Sequence, residues 1–271
     1  MSNGNPPPVA LSIAGVDPSG GAGILADVRT FAAFGCFPTA VITSLTFQNT
    51  TGVLGVSHQT AQVIRDQTLP LIADFRISGA KTGMLPNAEV IEEVARLFSD
   101  LPLPAPVVDP VMQATSGDSL IDDKAVETLV QKLFPLARLV TPNIPEAERL
   151  TGILLTDVGK MTEAARQIRA LGAPSVLLKG GHLGGNEAID VLDCEGTVSV
   201  LRSEKSHFGP VHGSGCTLSA AIAAGLAHGL QLPDSVARAK EYVTKLIRES
   251  PAIGHGARPL FSVEPTFNPR S

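Results

Sequence analysis

Short apolar runs alternate along this chain with segments whose apolar residues recur at helical spacing. Residues 9–16 form the first run, and Ile24, Leu25, Val28, Phe31 and Ala32 follow on one helical stripe. Further apolar runs stand at 40–47, 77–81, 106–112, 138–141 and 175–179, with helical patterns at 88–98, 122–133 and 162–171 between them. Runs without polar alternation suit strands buried on both faces, which a parallel sheet covered by helices provides. The pattern predicts an α/β three-layer sandwich, with a mostly parallel central sheet flanked by helices. Residues 188–192 and 197–201 alternate across Glu195-Gly196, which predicts an antiparallel hairpin at one edge. The segment 60–75 reads as a helix that Pro70 bends or ends. A short helix follows Pro142-Asn143-Ile144-Pro145, and a last one covers 233–247. Residues 1–8 read as a flexible tail and 9–271 as one domain.

In sheets of this kind ligands bind beyond the carboxyl ends of the strands. The loops at those ends hold most of the glycines and isolated polar residues, so one composite site is expected. Its most telling piece is His212-Gly213-Ser214-Gly215-Cys216-Thr217-Leu218-Ser219, followed by a run rich in Ala and Gly. A glycine-rich turn opening a buried helix presents unpaired N–H groups and a positive dipole end, which suits an anion. A cysteine in that first turn is a candidate for a lowered thiol pKa. The alternative reading is a glycine turn followed by a small buried thiol.

Composition removes several classes. The chain is 44% hydrophobic and 17% charged with net charge −5, and no basic block marks it for nucleic acid. It has no membrane-length apolar run and no secretory leader pattern. Three widely spaced cysteines, Cys36, Cys194 and Cys216, argue against a disulfide framework and fit a reducing cytoplasm. Gly15-x-x-x-x-Gly20 lacks the Lys-Ser/Thr of a P-loop. Gly21-x-Gly23-x-x-Ala26 fits a dinucleotide turn, but the second strand ends in Gln48-Asn49 where an acid is needed. Neither the hydrolase elbow nor the zinc-protease motif occurs.

Phosphoryl transfer remains, because it needs mainly positioning and charge stabilisation. Asp109 and Glu146 follow separate strands and could share a hydrated Mg²⁺, while Lys179 could neutralise a moving phosphoryl group. Taken singly, each also fits a helix cap or a solvated strand end.

The motifs I-A-G-V-D-P-S-G-G-A-G-I-L-A-D at 13–27, Q-N-T-T-G-V at 48–53 and K-T-G-M-L at 81–85 occur in order. They continue with V-V-D-P-V-M at 107–112, T-P-N-I-P-E-A at 141–147, L-K-G-G-H at 178–182 and H-G-S-G-C-T-L-S at 212–219. In these the chain resembles the hydroxymethylpyrimidine/phosphomethylpyrimidine kinases of thiamine biosynthesis, within the ribokinase-like superfamily. The resemblance implies a ribokinase-like sandwich and two successive phosphorylations of 4-amino-5-hydroxymethyl-2-methylpyrimidine by ATP with Mg²⁺, in a cytoplasmic homodimer.

Carried over residue by residue, Gln48 would bond the aminopyrimidine edge, and Gly15, Asp17, Met84 and Val111 would line that pocket. Gly213, Ser214 and Gly215 would form the anion hole, with Asn143 on the phosphates. Asp109 and Glu146 would hold the metal, and Lys179 would reach the phosphates. Cys216 would stand where related sugar kinases carry a catalytic aspartate. The loop 253–256 would lie near the nucleotide.

Two departures from the family pattern fall near the site. Ser214 replaces the usual Thr, and residues 208–211 lack the usual Asn-Thr pair. Pyridoxine/pyridoxal kinase is the nearest alternative, and a non-catalytic pyrimidine-binding regulator a more distant one.

Overall fold

The computed structural model describes residues 6–113, 120–181, 187–204 and 211–261. In chain order its first half comprises β1 (Val9–Val16), α1 (Gly23–Ala33), β2 (Phe37–Asn49), β3 (Gly52–His58), α2 (Ala61–Asp74), β4 (Ile77–Thr82), α3 (Ala88–Asp100) and β5 (Val107–Val108). Then come α4 (Asp123–Thr128), β6 (Leu139–Val140), α5 (Ile144–Thr151), α6 (Val158–Ala170) and β7 (Ser175–Gly180). The chain continues with β8 (Glu187–Cys194), β9 (Thr197–Glu204), β10 (Val211–His212), α7 (Ser214–Ala227), α8 (Leu232–Glu249) and β11 (Arg258–Pro259).

Nine strands form one sheet in the order β3-β2-β1-β4-β5-β6-β7-β8-β9. From β2 to β7 neighbouring strands run parallel. The hairpin expected at the β8–β9 edge is present, and β8 also pairs antiparallel with β7. A second antiparallel edge, β2 with β3, was not expected. Its glycines and half-exposed residues hide the strand pattern of β3 in the sequence. Separately, β10 and β11 make a short parallel pair.

Strand geometry divides the core in two, because successive side chains point to opposite faces. Leu11, Ile13, Val108, Val140 and Leu178 pack beneath α2 to α6. Their neighbours Ala10, Val107, Leu139 and Leu177 pack with Phe31, Ala220–Ala224 and Val236 beneath α1, α7 and α8. Helix α7 can lie close to the sheet because small residues meet there. A β-carbon on Gly79 would press against the backbone and side chain of α7 at Ala223 and Ala227.

Two local expectations change. Pro70 neither ends nor replaces a turn of α2, which runs through it to Asp74. Pro70 and Asp66 are both exposed, so the carbonyl that loses its N–H partner faces water. The helix expected over 122–133 is α4 followed by a π-helical turn (Leu129–Leu133) and a 3-10 turn (Phe134–Leu136).

Candidate active site

Parallel strands bring the loops after β1, β2, β4, β5, β6 and β7 to the same end of the sheet, where the start of α7 joins them. They enclose a cavity of about 1220 Å³. Every candidate residue named above lines it, from Gly15 and Asp17 to Ser214, Gly215 and Cys216.

One end is built for negative charge. Gly213 caps α7 with φ 83°, in the left-handed region, and a β-carbon there would run into the carbonyl of Gly21. The turn leaves the N–H groups of Ser214, Gly215 and Cys216 without partners in the helix, at the cavity wall. Lys179 Nζ donates to Asp109 Oδ1 at 2.9 Å, and Thr141 Oγ1 approaches the same oxygen at 3.3 Å. A β-carbon on Gly215 would lie 3.1 Å from Lys179 Nζ, so the ammonium sits against the helix start. Burial opposes the Lys179 charge, but Asp109 and Glu146 outweigh it and hold the ammonium above its usual range.

Asn143 and Glu146 turn out to be a reciprocal cap on α5. Glu146 N donates to Asn143 Oδ1 at 2.9 Å, and Asn143 N donates to Glu146 Oε2 at 2.8 Å. Glu146 Oε1 accepts from Met112 N at 3.1 Å, which pins the chain after β5. Between these anchors Val111 has φ 40°, a strained value for a β-branched residue at a cavity wall. Burial pushes the Glu146 carboxyl up, while Lys179 pulls it back and Asp109 repels it. Two carboxylates on one wall match what a hydrated Mg²⁺ takes from a protein, the rest coming from phosphate and water. Each Glu146 oxygen accepts one N–H and keeps a lone pair for such a contact. Among the described residues no group of three or more His, Cys, Asp or Glu could hold a metal.

Cys216 departs from expectation. Burial is the strongest influence and pushes its thiol up to about 11, against the pull of Lys81; Asp27 and Asp109 push it further up. The sequence shows the helix start, which lowers a thiol pKa, but not the dry surroundings, which raise it.

The other end carries polar side chains beside Met84 and Gly15. The Gln48 side chain lies 3.0 Å from His212 Nε2 and 3.1 Å from Thr46 Oγ1. Its amide therefore stands at the wall with both donor and acceptor capacity. Met84 lies close to Gly15, where a β-carbon would sit 3.3 Å from its sulfur. Asp17 Oδ1 accepts from Ser19 N at 2.9 Å and Ser19 Oγ at 2.7 Å. Its Oδ2 accepts from Ala22 N at 2.9 Å and meets His212 Nε2 at 2.8 Å. Burial pushes Asp17 up, but the bonds from His212 and Ser19 outweigh it and hold the carboxyl below its usual range. Asp17 thus holds the loop before α1 in shape as well as lining the cavity.

Sequence reasoning missed three features. His212 joins the ring end to the anion turn. Lys81 lies at the cavity floor, paired with Asp27 on α1 at 2.8 Å. Lys240 bonds Asp190 at 2.6 Å on the wall formed by β8 and α8. In each pair the partners are 50 or more residues apart; Lys81, Asp27, His212 and Asp17 stood in quoted motifs, but Lys240 and Asp190 did not. The loop 253–256 reaches the cavity through His255 and Gly256, whose N–H groups both donate to Thr50 Oγ1 at 3.2 Å. His182 and residues 208–210 lie outside the described residues.

An anion turn, a fixed ammonium and a carboxylate pair at the strand ends of a doubly covered sheet are what a small-molecule phosphotransferase requires. Comparison with known proteins narrows that class. The phosphomethylpyrimidine kinase family model matches residues 17–261, and the chain belongs to that family. It is 43% identical over 253 residues to the hydroxymethylpyrimidine/phosphomethylpyrimidine kinase of Haemophilus influenzae, covering 92% of this chain and 94% of that one. It is 44% identical over 250 residues to the thiamine biosynthesis bifunctional protein ThiED of Geobacter sulfurreducens; this spans 92% of the chain but only 51% of that protein. An ADP complex of Bacillus subtilis pyridoxal kinase superposes with a TM-score of 0.86 at 36% identity, covering 93% and 96% of the two chains. Among the described residues no helix is long and apolar enough to cross a membrane.

Proposed function

We propose that this chain, as a single domain from residue 9 onward, transfers the γ-phosphoryl group of ATP to the hydroxymethyl oxygen of 4-amino-5-hydroxymethyl-2-methylpyrimidine. It then phosphorylates the monophosphate to the diphosphate, for thiamine diphosphate biosynthesis in the cytoplasm. The observation that carries this reading is the meeting of the Gln48 amide, Met84 and the glycine turn that opens α7 in one cavity, in a chain of this family.

In this reading Gln48 bonds the aminopyrimidine edge, and Gly15, Met84 and Val111 pack on the ring, with Asp17 keeping their loop in place. As the new O–P bond forms and the bond to the β-phosphate breaks, charge builds on the transferring group. The N–H groups of Gly213, Ser214, Gly215 and Cys216 and the ammonium of Lys179 bind that charge, with Asn143 at the edge. Cys216 receives the proton of the attacking hydroxyl when its sulfur is ionised. Asp109 and Glu146 would hold Mg²⁺, which would supply charge neutralisation on the phosphates. The far wall of β8, β9 and α8, with the 253–256 loop, takes the nucleotide.

We propose a homodimer, a reading supported by the exposed apolar residues of the β2–β3 hairpin, where Leu54 is 80% and Phe47 56% exposed. Light scattering should give twice the chain mass, and a monomer at micromolar concentration would remove that part.

Product analysis with ATP, Mg²⁺ and each candidate substrate tests the reaction. Mono- and then diphosphate of the pyrimidine are expected. Pyridoxal phosphorylation at a higher kcat/KM would favour the alternative that the Bacillus subtilis superposition supports. Binding without turnover would favour a regulator.

A further inference from the structure

Lys240 and Asp190 form a pair on the wall between α8 and β8, and the reaction proposed above gives neither side chain a part. Lys240 Nζ donates to Asp190 Oδ2 at 2.6 Å and to Ala188 O at 3.3 Å. Asp190 Oδ1 accepts from Gly180 N at 3.0 Å, so the carboxylate also ties down the main chain directly after Lys179. The two side chains are 12% and 11% exposed, largely out of water. They line the same cavity as Lys179.

The register of the sheet makes this pair consequential. Lys179 on β7 and Asp190 on β8 stand directly opposite each other in an antiparallel ladder. Residues so opposed point to the same face, with β-carbons about 5 Å apart. That face is the one under α7 and α8, because Leu177 and Leu192, two residues along each strand, pack there. An ammonium and a carboxylate therefore face each other across the ladder, yet each is held by another partner. Lys179 Nζ is on Asp109 Oδ1 at 2.9 Å, and Asp190 is on Lys240. Removing one member of a buried ion pair leaves an uncompensated charge, which is strongly unfavourable. Without Lys240, the cation across the ladder is the one placed to compensate Asp190.

We infer that Lys240 is a positioning residue for Lys179. By occupying Asp190 it leaves the Lys179 ammonium to Asp109, against the start of α7, where a β-carbon on Gly215 would lie 3.1 Å from Nζ. Lys240 acts through this division of partners and not by touching the transferring group. Its effect on turnover rests on Lys179 as the phosphate-binding ammonium of the proposed reaction; the exchange of partners rests on the register and the ion pairs alone.

Nucleotide-free crystal structures and steady-state kinetics of full-length variants test it. In Lys240→Met, Lys179 Nζ should leave Asp109 for Asp190, and kcat should fall about tenfold with KM for the pyrimidine unchanged. Adding Asp190→Asn removes the competing charge and keeps an oxygen for Gly180 N. In that double variant Lys179 should return to Asp109, and kcat should recover to within about threefold of wild type. Lys179 still on Asp109 in Lys240→Met overturns the inference. So does a loss of turnover that Asp190→Asn fails to restore, which is what a merely structural role gives. A raised KM for ATP in both variants also overturns it, by placing Lys240 on the nucleotide. Should Lys240→Met not fold, Lys240→Gln keeps a hydrogen-bond donor without the charge and takes its place in both arms. The exchange of partners in a chain that phosphorylates neither candidate substrate would uphold the positioning of Lys179 and overturn the proposed reaction instead.

Discussion

At the proposed phosphate end of the cavity the candidate binding groups are main-chain N–H donors at Gly213–Cys216 and charges fixed in a network, Lys179 on Asp109 and Glu146 on Asn143. At the proposed ring end they are side chains: Gln48, which accepts from Thr46 and lies beside His212, and Met84 beside Gly15. The first end is set by backbone geometry and stays preorganised whatever the substrate, as stabilisation of developing charge requires. The second can be altered one side chain at a time, so it is where specificity can drift between related rings. Pyrimidine and pyridoxal kinases with this fold can therefore keep one phosphate end and differ at the other.

The comparison predicts that substitutions at the two ends act on different kinetic constants. Lys179→Met removes a fixed charge, and kcat in steady-state assays should fall by about 10²–10³-fold with KM little changed. A loss confined to KM would move Lys179 out of the phosphate end. Cys216→Ser should lower kcat by about 10²-fold while ligand affinity by calorimetry stays the same. Turnover near wild type would show that the loose transition state needs no base there. Gln48→Ala has the smallest expected effect, a rise of about tenfold in KM for the pyrimidine, equal to one lost hydrogen bond. If kcat fell instead, the ring end would be aligning the reaction as well as selecting the ring.

Much of the fold was legible because it rests on local pattern. The continuous apolar run of β1 predicts a strand buried on both faces, and Ala10–Gly15 are all buried. The hairpin β8–β9 followed from period-two alternation across a tight turn. By contrast, β3 escaped notice because an edge strand rich in glycine carries no burial signal. Pro70 does not end the expected helix, because a proline on an exposed helix face breaks one bond that water replaces. At the site, Glu146 was read both as a metal ligand and as a helix cap, and the structure shows the cap, a reciprocal one with Asn143. Both roles fit one geometry, since the cap orients the carboxylate.

The sequence by itself determined the layered α/β class, the end of the sheet where the candidate residues gather and the glycine turn that opens α7. Those depend on periodicity, on glycine's backbone freedom and on unpaired N–H groups at a helix start, which are properties of neighbours in the chain. Only the tertiary structure decided the electrostatics. Burial set the Cys216 thiol high, Lys81 on β4 paired with Asp27 on α1, and His212 came to bond Asp17 beside Gln48. Desolvation and charge pairing depend on which distant residues share a dry space, and no local pattern encodes that.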